Sequence, residues 1–384
     1  MAEEPRYSTQ GAYGLKKCHD SKSAIVDIIF VHGLTGNRET TWTDKDSKVF
    51  WPETLLPSDI PDARILTFGY DADIVHFLAT ASQNRIGNHA QNFINVLSQL
   101  REKSETNDRP IIFVAHSLGG LVVENALLSS KNSAERHLQQ IVECTVGITF
   151  LGTPHCGSDL ANWAKIFGRV ITMFKRTNTR LLETLSPDSE VLAWIQKDFH
   201  TMLRSRQEEG KEPPKITCFY EELPIHGIGE IVPMHSAILP SYNSIGIHKN
   251  HMDMAKFSEA EDPGYLAVSI EIWRWVKDIK TQRQLIESHQ SPDVEALNRQ
   301  QYYPQYPVGA NPLHQGQQAL PANTERGIPT FEAYMAQFGR GFCQPGYSQP
   351  VFQGGNTISG QAGSGHGRVV QGNNIRADRD VTFS

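Results

Sequence analysis

The chain has 384 residues, 39% of them hydrophobic, which is long enough for one large domain with extensions but modest if all of it is to fold. A formal charge of −6 with no long Lys/Arg run removes the electrostatic reason to bind nucleic acid. The opening MAEEPRYSTQ has no signal-peptide pattern, and no apolar run reaches about 18 residues, so no transmembrane segment is expected.

Ile25 to Val31 (IVDIIFV) is a short, nearly continuous apolar run of the kind that forms a strand buried on both faces. It ends in His32-Gly33-Leu34-Thr35-Gly36. In serine hydrolases such a loop after an early strand supplies one N–H to the oxyanion, here assigned to Leu34. Ala63 to Tyr70 reads as the next strand, and Ile86 to Leu100 as a helix with Ile86, Ala90, Phe93, Val96, Leu97 and Leu100 on one face. Pro110 to Leu128 then runs from an apolar strand through Ala115-His116-Ser117-Leu118-Gly119 into an amphipathic helix. A small residue, any residue, serine, any residue and glycine at a sharp strand-to-helix turn make a nucleophile elbow. Ser117 is its apex, and the N–H of Leu118 is the second oxyanion donor.

Val146 to Leu151 is a further strand, followed by Gly152-Thr153-Pro154-His155. His155 could touch substrate from that loop, but a hydrogen-bonded structural histidine is the commoner case. From Ser158 to Arg206 the chain turns helical. Trp163, Ile166, Phe167, Val170, Ile171 and Phe174 form a stripe flanked by Lys165, Arg169, Lys175 and Arg176, a pattern expected of a cap over an active site or of peripheral contact with an anionic membrane. Lys215 to Tyr220 is a late strand that runs into Glu221 and Glu222. A carboxylate there could orient a catalytic imidazole; Glu221 is the candidate, with Glu222 left open because the pleat sends the two apart. Asn243 to Ile247 leads to His248 and His251, either of which could be the general base, and Val268 to Ile279 is a closing helix. Strands alternating with helices, and the order serine, acid, histidine, predict an α/β-hydrolase fold with a mostly parallel central sheet flanked by helices.

The blocks DIIFVHGLTG, RILTFGYDA, FVAHSLGGLVV, ITFLGTPHCGS, CFYEELP and KNHMDMAKF resemble an α/β-hydrolase group that includes lipase-like serine esterases and relatives of GPI inositol-deacylase. They are most similar to the SesB-type effector domain of fungal NOD-like receptor systems. The resemblance covers about Gly14 to Asp278. It implies Ser117 as nucleophile, Glu221 as acid and His251, rather than His248, as base. It also implies hydrolysis of an ester, with a lipid ester favoured, and a C-terminal motif that joins the hydrolase to a NOD-like receptor or to copies of itself.

From about Ser291 the composition shifts to Gln, Pro, Tyr, Gly, Asn and Ser. The expected organisation is a hydrolase domain over 1–282 with a cap insertion at about 158–206, a disordered linker over 283–349 and a prion-like motif over 350–384. The motif reading rests on a pseudo-repeat, Gln353-Gly354-Gly355-Asn356-Thr357-Ile358 against Gln371-Gly372-Asn373-Asn374-Ile375, whose asparagines could stack in a cross-β array. Cys18, Cys144, Cys156, Cys218 and Cys343 are scattered without Cys-x-x-Cys spacing, which fits reduced thiols in a cytoplasmic protein and neither disulfides nor zinc. No cofactor is expected. The rival reading is a non-catalytic switch module that uses the hydrolase fold as a platform for partners.

Overall fold

The computed structural model describes residues 13–33, 36–70, 83–155, 166, 169 and 188–289. Among them a seven-stranded sheet has the order β1-β3-β2-β4-β5-β6-β7. The strands are β1 (Gly14–Asp20), β2 (Val26–Val31), β3 (Ala63–Gly69), β4 (Ile111–His116), β5 (Thr145–Leu151), β6 (Lys215–Glu221) and β7 (Asn243–Ile247). The edge strand β1 runs antiparallel to β3, and every other neighbouring pair is parallel. A mostly parallel sheet with helices between its strands is the α/β-hydrolase architecture, and its reactive loops lie at the carboxyl ends of the strands.

Period-two alternation explains how the helices cover both faces. Ile29, Val31, Ile111, Phe113 and Ala115 join the core on one side, while Val26, Ile28, Phe30, Ile112 and Val114 join the core on the other. The first side is closed by α3 (Gln83–Lys103), α4 (Gly119–Lys131), α5 (Arg136–Cys144) and α6 (Asp188–Glu208). The second is closed by the short α1 (Trp51–Thr54) and α2 (Leu56–Asp59) and by α8 (Pro263–His289), while α7 (Met234–Ala237) contacts β6 and buries Ala237 in the first core.

Two helices add detail to the expected organisation. The last part of the predicted cap insertion, α6, buries Phe199, Met202 and Leu203 in the first core and packs on α4. Its apolar stripe faces the elbow helix. The closing helix, expected over Val268 to Ile279, runs from Pro263 to His289. Ile166 is buried in the first core. The other aromatic and apolar residues of the predicted cap stripe, the linker beyond His289 and the whole 350–384 motif lie outside the described residues, as does Leu34.

At the amino edge of the sheet, Asp27 on β2 is fully buried and meets three guanidinium groups. Arg64 binds it through Nε at 2.9 Å and Nη2 at 2.7 Å, Arg101 through Nη1 at 2.5 Å and Arg109 through Nη1 at 3.1 Å. Arg101 also donates to the carbonyls of Asn107 and Arg109, and Arg64 to the hydroxyls of Ser104 and Thr106. The same cluster therefore ends α3 and shapes the turn that leads into β4.

Candidate active site

β4 is a run of six buried residues ending at His116, and α4 begins at Gly119, so the chain turns from strand to helix across Ser117 and Leu118. Ser117 takes a φ of +55°, left-handed backbone that costs a non-glycine residue roughly 1–3 kcal/mol. The surroundings hold it there. The Ser117 N–H donates to the Leu151 carbonyl at 2.8 Å, and the Gly120 N–H donates to the Ser117 carbonyl at 3.1 Å. A β-carbon on Gly119 would lie 2.4 Å from the His32 carbonyl oxygen, and one on Gly33 would lie 2.7 Å from Ser117 Cβ. Glycine at both places lets the loop after β2 and the elbow pack backbone against backbone.

His251, on the loop after β7, places Nε2 2.9 Å from Ser117 Oγ. Its Nδ1 is 3.7 Å from Oε1 of Glu221, the last residue of β6. That oxygen accepts the Val232 N–H at 2.6 Å, while Glu221 Oε2 and His251 Nδ1 have no hydrogen-bond partner among the described residues. The serine-histidine contact is thus a hydrogen bond, and the histidine-glutamate contact is a close approach of the kind that shortens when substrate binds. The alternatives left open by the residues also have definite places. Glu222 and His248 form a second acid-imidazole pair at 3.2 Å, but the His248 side chain is 80% exposed and neither residue is joined to Ser117.

Residues 22–190 match the model of the family described as "Putative serine esterase (DUF676)", a stretch that holds the β2 loop and the elbow and stops before Glu221 and His251. Protein SERAC1 of Mus musculus is 30% identical over 267 residues, 64% of this chain and 38% of that protein. Protein SERAC1 of Homo sapiens is 28% identical over the same length, with the same shares. These similarities support a lipase-like serine esterase family. The chain spans 38% of the length of these curated relatives. Among solved structures, inhibited esterase B from Lactobacillus rhamnosis is similar at 12% identity and a TM-score of 0.40, over 70% of this chain and 81% of that one.

In a serine esterase the charge states of the base and its partner decide the pH range of activity. Burial pushes His251 well below the ordinary imidazole value, with His116 adding to the effect. Burial pushes the Glu221 carboxyl up to about 7, opposed by the backbone N–H groups of Val232, His251 and Ile231. Burial thus disfavours charge on both members of the pair, imidazolium and carboxylate alike. A proton on the Glu221 carboxyl removes the negative charge that would stabilise an imidazolium. The kcat/KM for an ester is expected to fall as pH drops through about 7, and Glu221→Gln to leave a small residual rate without that limb. A wild-type profile flat down to pH of about 5 would show Glu221 ionised throughout.

Of the two N–H groups expected to face an oxyanion, one belongs to Leu118. Leu118 is the N-cap of α4, where a backbone N–H is left without an intrahelical acceptor. On the other side, the loop after β2 is tied down just before Leu34. His32 Nε2 accepts the Tyr70 N–H at 3.3 Å, so Nδ1 carries the proton and donates to the Gly33 carbonyl at 2.8 Å. The Tyr70 hydroxyl returns a bond to the His32 carbonyl at 2.7 Å, and the two rings stack at 4.4 Å. Burial lowers His32 to about 4, which keeps this tautomer neutral.

Among the described residues His155 makes no hydrogen bond to Ser117, Glu221 or His251. Its Nδ1 lies 3.3 Å from Glu124 Oε1 and 3.1 Å from Gln196 Nε2, and that amide nitrogen donates to both Glu124 oxygens. Burial works against its charge, but Cys218 and Glu124 outweigh burial and raise it to about 9. It is a buried link between the β5 loop, α4 and α6. Sequence reasoning did not assign the latch made by His32 and Tyr70, although the His-Gly pair after an apolar strand was its visible trace. Among the described residues no group of three or more His, Cys, Asp or Glu could hold a metal ion, and no helix is long and apolar enough to cross a membrane.

Proposed function

We propose that this protein hydrolyses a carboxylic ester by acyl transfer through Ser117, His251 and Glu221. The observation that carries the reading is the 2.9 Å contact between His251 Nε2 and Ser117 Oγ at a left-handed strand-to-helix turn. Ser117 Oγ attacks the ester carbonyl while its proton passes to His251 Nε2, and the oxyanion is held by the N–H groups of Leu118 and Leu34. His251 then returns the proton to the departing alcohol, leaving an acyl-serine. Water attacks that acyl group with His251 as base and releases the acid. Glu221 orients the imidazole and offsets its transient charge.

His251→Ala is expected to lower kcat on p-nitrophenyl butyrate by ~10³-fold or more, and His248→Ala by less than ~3-fold, because only the base takes part in proton transfer. Should the two variants rank the other way, the base is His248. A lipid ester is the finer reading; it comes from the family resemblance, with the apolar stripe in the sequence as a site for the acyl chain. Slower turnover of the palmitate ester than of the butyrate ester by the wild type would refute that refinement and leave the ester chemistry intact.

A further inference from the structure

The turn that carries His251 is held in shape by its own atoms. The Asp253 and Met254 N–H groups donate to the Asn250 carbonyl at 3.0 and 2.9 Å, and Asn250 Oδ1 accepts the N–H groups of Met252 and Asp253. These bonds fix the turn internally, and its far side is held by buried Met254 and by the Trp51 Nε1–H donated to the Ala255 carbonyl at 2.9 Å. Among the described residues, two hydrogen bonds join it to the elbow, one from His251 Nε2 to Ser117 Oγ and one from His116 Nε2 to the His251 main-chain carbonyl, both 2.9 Å. A carbonyl can only accept, so His116 Nε2 carries the proton. The His116 ring is buried between Trp42, at 6.4 Å edge-on, and His251, at 5.1 Å.

We infer that His116 is a positioning residue, whose N–H donated to the His251 carbonyl keeps the general base in register with the neighbouring nucleophile. The inference rests on the esterase reading above. The serine-histidine bond has to break in every turnover, when the proton moves and Oγ becomes acylated. The bond from His116 takes no part in the chemistry and persists through it, so the imidazole returns to the same place for deacylation. Burial holds His116 down to about 4, and a neutral ring keeps the donor without placing a second positive charge beside the imidazolium.

The test compares His116→Phe, which keeps a ring but has no donor, with His116→Gln, whose amide nitrogen reaches about as far from the backbone as Nε2 does. Phenylalanine is expected to lower kcat ~10- to 100-fold with KM within ~2-fold, since displacing a catalytic group by about 1 Å has effects of that size. It should also speed amide hydrogen exchange across residues 250–254. Glutamine should bring kcat to within ~3-fold of wild type and restore slow exchange. Phenylalanine with wild-type kcat and exchange, or glutamine as impaired as phenylalanine in both, would overturn the inference. If the phenylalanine variant does not fold, His116→Asn, one carbon too short to reach, supplies the same contrast. Wild-type protein that takes no fluorophosphonate label would overturn the esterase reading alone, and the exchange comparison would still decide the tether.

Discussion

Ser117→Ala is expected to abolish fluorophosphonate labelling and to lower turnover of short p-nitrophenyl esters by ~10⁴- to 10⁶-fold. The size follows from what one oxygen does. Without it no acyl-enzyme forms, and His251 and the elbow N–H groups can only assist direct attack by water, the slow residue of catalysis that remains when a nucleophile is removed. The fold should survive, because the side chain makes one hydrogen bond, to His251, with a net contribution of about 1 kcal/mol. Thermal unfolding should therefore shift by no more than ~4 °C. Labelling that persists in a folded Ser117→Ala protein would place the nucleophile elsewhere.

Asp27→Ala is expected to have the largest effect on stability, lowering it by about 3–5 kcal/mol or more against a typical total of about 5–15. Asp27 is fully buried and is the carboxylate shared by Arg64, Arg101 and Arg109, the first two with side chains only 2% exposed. Removing it leaves guanidinium groups that cannot shed their charge facing one another without an anion. Burial already lowers the Arg101 pKa, an effect that the Asp27 charge opposes. Asp27→Asn keeps the shape and most acceptor positions, so comparison with Asp27→Ala separates lost charge from lost packing. Equilibrium unfolding in urea measures both, and a midpoint near wild type for Asp27→Ala would mean that the arginines are balanced by something other than this carboxylate.

The strands were legible because β2, β3 and β4 are buried along their whole length, and a strand covered on both faces must be written as an apolar run. β1 was missed for the opposite reason. At the antiparallel edge, GLKKCHD buries Leu15 and leaves the rest at least partly exposed, so little hydrophobic pattern remains to be read. The choice between Glu221 and Glu222 could not come from composition. Register pairs Glu221 with Ile247 at the end of β7, where Glu221 is buried, while Glu222 lies 3.2 Å from the exposed His248. From the residues alone His248 and His251 were equivalent, and only the family resemblance separated them. His116 had no signal, since its partner is a main-chain carbonyl 135 positions away. Asp27 did leave a mark, as the one charge inside IVDIIFV, but its three partners are scattered over later elements.

The two ends of the sheet answer to different demands. Ser117, Glu221 and His251 sit where parallel strands finish, and the acid with its three bases sits where β2, β3 and β4 start. Substitutions that change stability at the starting edge are therefore expected to leave the surroundings of Ser117 largely as they are. Substitutions around Ser104, Thr106 and Arg109 change how firmly the starting edge is clasped, with the length of the strands between them and the reacting atoms. A lineage of such proteins could lose stability at one edge and regain it there without readjusting the geometry of the serine.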